Sequence, residues 1–230
     1  MKPKPSPVED SSRTARRKVF IVEDHPIFRE GVVEVINSES DLTVCGEAED
    51  AEHALEAIPG LKPDLVLVDI SLPGRSGLEL IKDLRALNGG VKLLVLSMHD
   101  EALYADRVLR AGGDGYIMKQ EDPEEVVHAI RDVLGGHIYV SEQVLGGGKK
   151  GSPSRGSALK SRPLGQLTDM ELEVLELLGE GKTNVEIARQ LHFRPGTASA
   201  HGTQIKRKLN LKSTNALIRY AVCWVEGGKA

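Results

Sequence analysis

Leu65 to Gly74 reads LVLVDISLPG, four apolar residues running into Asp69 with a Pro-Gly turn four residues on. A short apolar run closed by turn residues is the mark of a strand buried on both faces, as in a parallel sheet covered by helices. Ligand-binding groups in such sheets gather just outside the carboxyl ends of the strands, so Asp69 falls on that rim. Working outward, strand-like segments alternate with helix-like ones. Val19–Glu23, Leu42–Ala48, Val91–Ser97 and Gly115–Lys119 read as the other strands. Ile27–Ile36, Ala51–Ile58, Gly77–Leu87, Glu101–Ala111 and Pro123–Leu134 carry helical spacing. Five such units predict an α/β fold, a five-stranded doubly wound parallel sheet with right-handed crossovers.

That topology brings chemistry-bearing residues together. Glu23 and Asp24 end the first strand, Asp69 the third, Ser97 the fourth and Lys119 the fifth. Three carboxylates this close repel one another unless a cation shares them. A hard divalent ion with oxygen ligands answers the need, and Mg²⁺ suits it best. A carboxylate nucleophile, a metal, an ammonium and a hydroxyl make a pocket for an aspartyl phosphate. The bland alternative is a set of solvated loop residues, which suits any one of them but not five strand ends in the required order. A haloacid-dehalogenase-like phosphatase also places an Asp at a strand end, but it needs a second Asp two residues later, where this chain has Ser71.

The 230 residues carry a net charge of −4, with 40% hydrophobic, 28% charged and 3% aromatic residues. This is ordinary globular composition for one or two domains, and too poor in aromatics for a single-strand stacking platform. No apolar run reaches membrane-spanning length and no signal peptide is evident, which predicts a cytoplasmic protein without membrane partners. Cys45 and Cys223 stand far apart beside apolar neighbours, and are expected to be buried thiols. The charge is unevenly spread. Residues 19–145 hold 25 Asp/Glu against 10 Lys/Arg, whereas Lys182–Arg219 hold eight basic residues against Glu186 alone. A basic second half suggests contact with nucleic acid.

Residues 1–17 read as a disordered extension, 18–137 as the α/β domain and 138–164 as a flexible basic tether, with five basic and no acidic residues in Gly146–Gly165. A smaller all-α domain is expected over 165–230. Thr168-Asp-Met-Glu171 and Thr183-Asn-Val-Glu186 are capping-box signatures, each opening a helix. A turn through His192 and Phe193 leads to a third helix expected to start near Pro195, and Ser213–Val225 forms a fourth. A short helix, a tight turn and a further helix make a helix-turn-helix. On that third helix Ala198, Gly202, Ile205 and Leu209 face inward, and Ala200, Thr203, Gln204 and Arg207 face out, flanked by Ser199, Lys206 and Lys208. Ser199, Thr203, Gln204, Lys206, Arg207, Lys208 and Lys212 are the candidate contacts to double-stranded DNA, the basic ones to phosphates.

Residues 18 to about 135 resemble the receiver domains of two-component response regulators, a flavodoxin-like fold. The matching marks are Glu23-Asp24 before His25-Pro26, Asp69 with Pro73-Gly74, Ser97, and Tyr116 with Lys119 in GYIMK. The resemblance implies Asp69 as phosphoacceptor, and Glu23, Asp24, Asp69 and the Ser71 backbone carbonyl as Mg²⁺ ligands. It implies Ser97 and Tyr116 as a switch pair that moves on phosphorylation, and it sets Ser71 and His99 at positions that tune phosphoryl lifetime. Residues 165–226 resemble the LuxR-type helix-turn-helix of the NarL/FixJ class, carried by LTDMELEVLELLGEGKTNVEIARQL, Thr197, His201, Ile205 and KLNLKST. Arg194 stands where that class has a Ser/Thr cap, Ala198 replaces a Val, and Ser199 and Thr203 are short where longer polar residues are common. The expectation is a phosphorylation-controlled transcription regulator rather than an enzyme, with a histidine kinase as donor and a homodimer on activation, Val222 or Trp224 of the last helix being candidates for the pairing. The rivals are a phosphorylation-responsive protein-interaction module that no longer reads DNA, and a free-standing phosphatase.

Overall fold

The computed structural model describes residues 15–87, 89–141, 163–194 and 196–227. Residues 1–14 of the extension expected at the N-terminus and most of the expected tether (142–162) lie outside the described residues, while Arg17, expected in that extension, instead opens the first strand. The first domain runs β1 (Arg17–Val22), α1 (Pro26–Ser38), β2 (Leu42–Ala48), α2 (Ala51–Leu61), β3 (Leu65–Val68), α3 (Gly77–Leu87), β4 (Lys92–Ser97), α4 (Glu101–Ala111), β5 (Gly115–Met118) and α5 (Pro123–Leu134). The sheet is parallel in the order β2-β1-β3-β4-β5.

Alternation along the strands sorts the core into two layers. Val19, Ile21, Leu65 and Leu67 pack with Val32, Ile36, Ile130 and Val133 of α1 and α5. Phe20, Val22, Val66 and Val68 pack with Ile58, Leu80, Leu84 and Val108 of α2, α3 and α4. The register aligns the strand ends. Val22 pairs with Val68, Val68 with Val95, and Ser97 with Met118. One edge of the sheet thus presents Glu23, Asp24, Asp69, Ser97 and Lys119 together.

Residues 138–141, assigned to the tether by the sequence boundary, instead run back onto β5. The Tyr116 amide donates to the Tyr139 carbonyl at 2.7 Å, and the Tyr139 amide to the Asp114 carbonyl at 3.1 Å. A 3₁₀ turn (Pro163–Gln166) then enters a helical domain of α6 (Asp169–Gly179), α7 (Asn184–Gln190), α8 (Thr197–Lys208) and α9 (Thr214–Gly227). Both capping boxes are formed, at Thr168/Glu171 and Thr183/Glu186.

Two expectations are corrected. Helix α8 starts at Thr197 behind Gly196, whose φ of +89° is left-handed backbone, rather than near Pro195. The thiols are not both buried. Cys45 is half-buried on β2 at the sheet edge, and Cys223 is exposed on α9 because Leu217 and Ala221 define that helix's inward face.

Candidate functional site: an acidic strand-end pocket and a basic helix

Asp69 and Glu23 are buried at the sheet edge, each 3% exposed. The Asp69 amide donates to the Val22 carbonyl at 2.9 Å, so the strand pairing itself fixes where its carboxylate starts. Lys119 reaches in from β5. Its Nζ lies 2.8 Å from Asp69 Oδ2 and 2.6 Å from Glu23 Oε2, with the ammonium 4.6 Å above the Phe28 ring. Burial opposes the Lys119 charge, but the Asp69 and Glu23 carboxylates outweigh it and raise its pKa. The ammonium stays protonated at neutral pH.

The remaining oxygens ask for a cation. Ligand atoms of Glu23, Asp24, His25 and Asp69 lie within 4.8 Å of one another. Burial, and then the Asp69 charge, raise the Glu23 carboxyl above its ordinary range despite Lys119. Burial also raises Asp24, with His25 opposing and Asp69 adding. Asp69 Oδ1 is buried without a hydrogen-bond partner. An orphaned carboxylate oxygen among further oxygen donors fits a hard divalent ion. His25 was not among the sequence candidates. Its Nδ1 sits 2.9 Å from Glu23 Oε1 and 2.8 Å from Asp24 Oδ1, and it is mostly exposed.

Gly77 is a second residue that the sequence reading passed over. A Cβ built there would lie 2.0 Å from the Asp69 carbonyl oxygen. The first turn of α3 can therefore press against the Asp69 backbone only because residue 77 has no side chain.

His99 joins the pocket to the helical domain. Ser97 is buried, with its Oγ 3.5 Å from the His99 amide. Tyr116 is fully buried, and its hydroxyl donates to the His99 carbonyl at 2.7 Å. The His99 ring stacks on Tyr104, with Nε2 2.7 Å from Ser71 Oγ and Nδ1 2.7 Å from Glu176 Oε2 of α6. Burial would lower the His99 pKa, but Glu176, Glu173 and Asp69 outweigh it and raise it. Glu173 is 3% exposed at the same interface, its Oε1 unpartnered. Burial pushes its carboxyl up to about 8; His99 opposes, while Asp69, Glu176 and Asp169 add to the rise. Neither glutamate was a sequence candidate, because a leucine stripe at 172, 175 and 178 makes the residues between look like a solvated face. The signal available was their i, i+3 spacing, which puts two carboxylates on one side of the helix.

On α8 the structure sorts the seven DNA candidates. Ser199, Thr203, Gln204 and Arg207 are exposed on the outer face, and Lys212 is exposed just beyond it. Ala198, Gly202 and Ile205 are buried as expected, and His201 stacks on Phe193 with centroids 5.2 Å apart. Lys206 and Lys208 are drawn elsewhere. Lys206 Nζ donates to Thr214 Oγ1 at 3.1 Å, and Lys208 Nζ to Glu171 Oε2 at 2.5 Å. Among the described residues no helix is long and apolar enough to cross a membrane.

Residues 19–131 match the family model described as the response regulator receiver domain, and 165–221 the one described as bacterial regulatory proteins of the luxR family. The nitrate/nitrite response regulator protein NarL of Escherichia coli K12 is 34% identical over 197 residues, 85% of this chain and 90% of that protein. The oxygen regulatory protein NreC of Staphylococcus aureus (strain bovine RF122) is 35% identical over 209 residues, 89% and 96% of the two chains. Among solved structures, RcsB from Salmonella enterica serovar Typhimurium, bound to promoter rprA in the presence of phosphomimetic BeF3−, gives a TM-score of 0.62 at 26% identity, covering 90% of this chain and 98% of that one.

Proposed function

The chain belongs to the response regulators that join a receiver domain to a LuxR-type DNA-binding helix-turn-helix, and from that premise we propose that Asp69 is its phosphoacceptor, served by a histidine kinase and Mg²⁺. The observation that carries this reading is the Lys119 ammonium bridging Asp69 Oδ2 and Glu23 Oε2 while Asp69 Oδ1 stays unpartnered. One carboxylate oxygen is held by the ammonium, and the other faces the pocket where the metal and the incoming phosphoryl group would meet it.

In the transfer, Asp69 Oδ1 attacks phosphorus, the bond to the kinase's imidazole nitrogen breaks, and the imidazole leaves. The acyl phosphate stays on Asp69. Lys119, already charged and already placed, neutralises a phosphoryl oxygen without reorganising during the reaction. The Ser97 hydroxyl turns to hydrogen-bond the product, and its movement is passed to the loop that Tyr116 holds through the His99 carbonyl. Glu23, Asp24, Asp69 and the Ser71 carbonyl would hold the metal. Bound there, Mg²⁺ supplies the positive charge that screens the carboxylates from the incoming phosphoryl group.

Incubating the full chain with a labelled acyl-phosphate donor and Mg²⁺ should transfer phosphate to the wild type and leave Asp69→Asn unlabelled. Equal labelling of the two would move the nucleophile elsewhere. Phosphorylation is expected to favour a homodimer that reads paired half-sites through α8, with Ser199, Thr203 and Gln204 toward base edges and Arg207 and Lys212 on phosphates. Arg207→Ala should weaken binding to all duplexes alike and lower the slope of log affinity against log salt by about one. An unchanged slope would take Arg207 out of the phosphate contacts.

A further inference from the structure

Ser71, His99 and Glu176 form a continuous relay that crosses the domain boundary. Ser71 Oγ lies 2.7 Å from His99 Nε2, and His99 Nδ1 lies 2.7 Å from Glu176 Oε2. The hydroxyl and the imidazole belong to the two loops beside the acidic pocket, Ser71 two residues past Asp69 and His99 two past Ser97. The carboxylate belongs to α6 of the DNA-binding domain. That helix is held in place independently by Arg107, whose guanidinium donates to Asp169 Oδ1 at 2.8 Å and to the Leu164 and Leu167 carbonyls at 3.1 Å each. Tyr104 stacks on the ring with centroids 4.6 Å apart, and the Tyr116 bond to the His99 carbonyl holds the loop that carries it.

We propose that Glu176 is a positioning residue of the phosphoryl pocket, so that docking of the DNA-binding domain sets how long the phosphate stays on Asp69. A carboxylate accepts only, so Glu176 fixes the proton of neutral His99 on Nδ1. Nε2 must then accept the Ser71 hydroxyl proton, which leaves the Ser71 oxygen presenting lone pairs to the pocket. In that state Ser71 accepts a hydrogen bond from a water and orients it toward phosphorus. The water adds to phosphorus, the bond from phosphorus to the Asp69 oxygen breaks, and the carboxylate returns. Both protons of the water leave on dihydrogen phosphate. When α6 departs the relay loses its fixed sense, the Ser71 proton is free to turn inward, and it donates to the phosphoryl group instead. At a pH high enough to leave His99 neutral, the chain dephosphorylates faster with its domains docked than apart. A DNA duplex that captures the separated domain therefore prolongs the signal.

The inference rests on Asp69 as phosphoacceptor, and the test separates the two. The full chain is labelled with an acyl-phosphate donor and Mg²⁺, the donor is removed, and loss of label is followed. Glu176→Gln replaces the accept-only carboxylate by an amide able to accept or to donate, which removes the group that fixes the His99 tautomer. It should lengthen the half-life roughly ten-fold, the usual scale for removing a partner behind a functional histidine. Arg107→Ala, which loosens α6 but keeps Glu176, should lengthen it in the same direction. In a Ser71→Ala background Glu176→Gln should add nothing, a non-additivity that a merely structural role would not produce. Without metal or phosphate, the nitrogen chemical shifts of His99 should report a neutral-ring proton held on Nδ1 in the wild type and shared between the two nitrogens in Glu176→Gln. Label that decays at the wild-type rate in Glu176→Gln overturns this inference alone. A wild type that takes no label, or an Asp69→Asn chain that does, overturns the reading of Asp69 and this inference with it.

Discussion

Gly77 opens α3 with its backbone against Asp69, and the space its missing Cβ leaves is what lets the loop after β3 fold under the pocket. The amide of Gly77 donates to the Ile70 carbonyl at 2.8 Å, closing that loop one residue from where the chemistry sits. Gly77→Ala would put a methyl 2.0 Å from the Asp69 carbonyl oxygen, backbone that cannot rotate away. The expected result is a loss of about 1–3 kcal/mol, the range for overpacking, together with slower labelling of Asp69 as its carbonyl and carboxylate shift. Gly31→Ala on α1 is the matched control, since nothing lies within 4 Å of a Cβ there. Chemical denaturation of the two variants separates them; equal stability would show that the α3 turn gives way freely. The contrast marks what sequence reading reaches at this scale. Glu23, Asp24, Asp69, Ser97 and Lys119 were legible because each ends a strand, and strand ends in a parallel sheet are neighbours by topology. Gly77 was not, because one glycine among 24 announces no close approach until the partner backbone is known. His99 could be placed by its offset from Ser97, but not the three contacts its ring makes.

Local signals explain why the helices were easier to read than their functions. Both capping boxes lie wholly within four residues, so Thr168/Glu171 and Thr183/Glu186 could be recognised without tertiary information, and both form. Helix α8 carries no such mark. Its N-cap is Gly196, with no side-chain cap, and Pro195 drew the expected start too early. The basic tail of the same helix is likewise placed by its surroundings. Lys206 and Lys208 read as a phosphate-contacting pair, and their ammoniums rest on Thr214 and Glu171, partners set by how α8 packs on α9 and α6. Within α8, Gly202 is buried and costs helix stability without filling space. A Cβ there meets only Leu217 Cδ2, at 3.7 Å, an ordinary contact. Gly202→Ala should therefore stabilise the helical domain by about 1 kcal/mol, the full helix-propensity difference. The outer face that carries Thr203 and Gln204 is untouched, so the rank order of DNA sites should not change. A drop in stability in chemical denaturation would mean that the added methyl does not fit between α8 and α9.

Nothing in the sequence marked the docking of the two domains, because its parts are scattered over residues 82 to 176 and none has a local pattern. The apolar layer under α2, α3 and α4 continues through Leu172 and Leu175 into the helical core, so the joint is partly a shared core. Its charged rim is Lys82 and Arg107 on Asp169, with His99 on Glu176. Glu173 lies inside that rim and makes the joint sensitive to pH. Its carboxyl is raised to about 8 when docked, against 4.5 when free. The docked state keeps a proton that the separated state gives up. The contribution of Glu173 to docking is therefore full below about 4.5 and is lost as the pH climbs to about 8, by up to about 1.4 kcal/mol per unit. Loss of charge on His99 over the same rise weakens the pair with Glu176, which acts in the same direction. Glu173→Gln, a neutral side chain of the same shape, removes the carboxyl's share and leaves that of His99. Small-angle scattering from about pH 5 to about pH 9 should show the wild type expanding as its domains part. The Gln variant should stay compact further up the series. If the two expand together, the proton on Glu173 is not what holds the joint, and the charged pairs at its rim are.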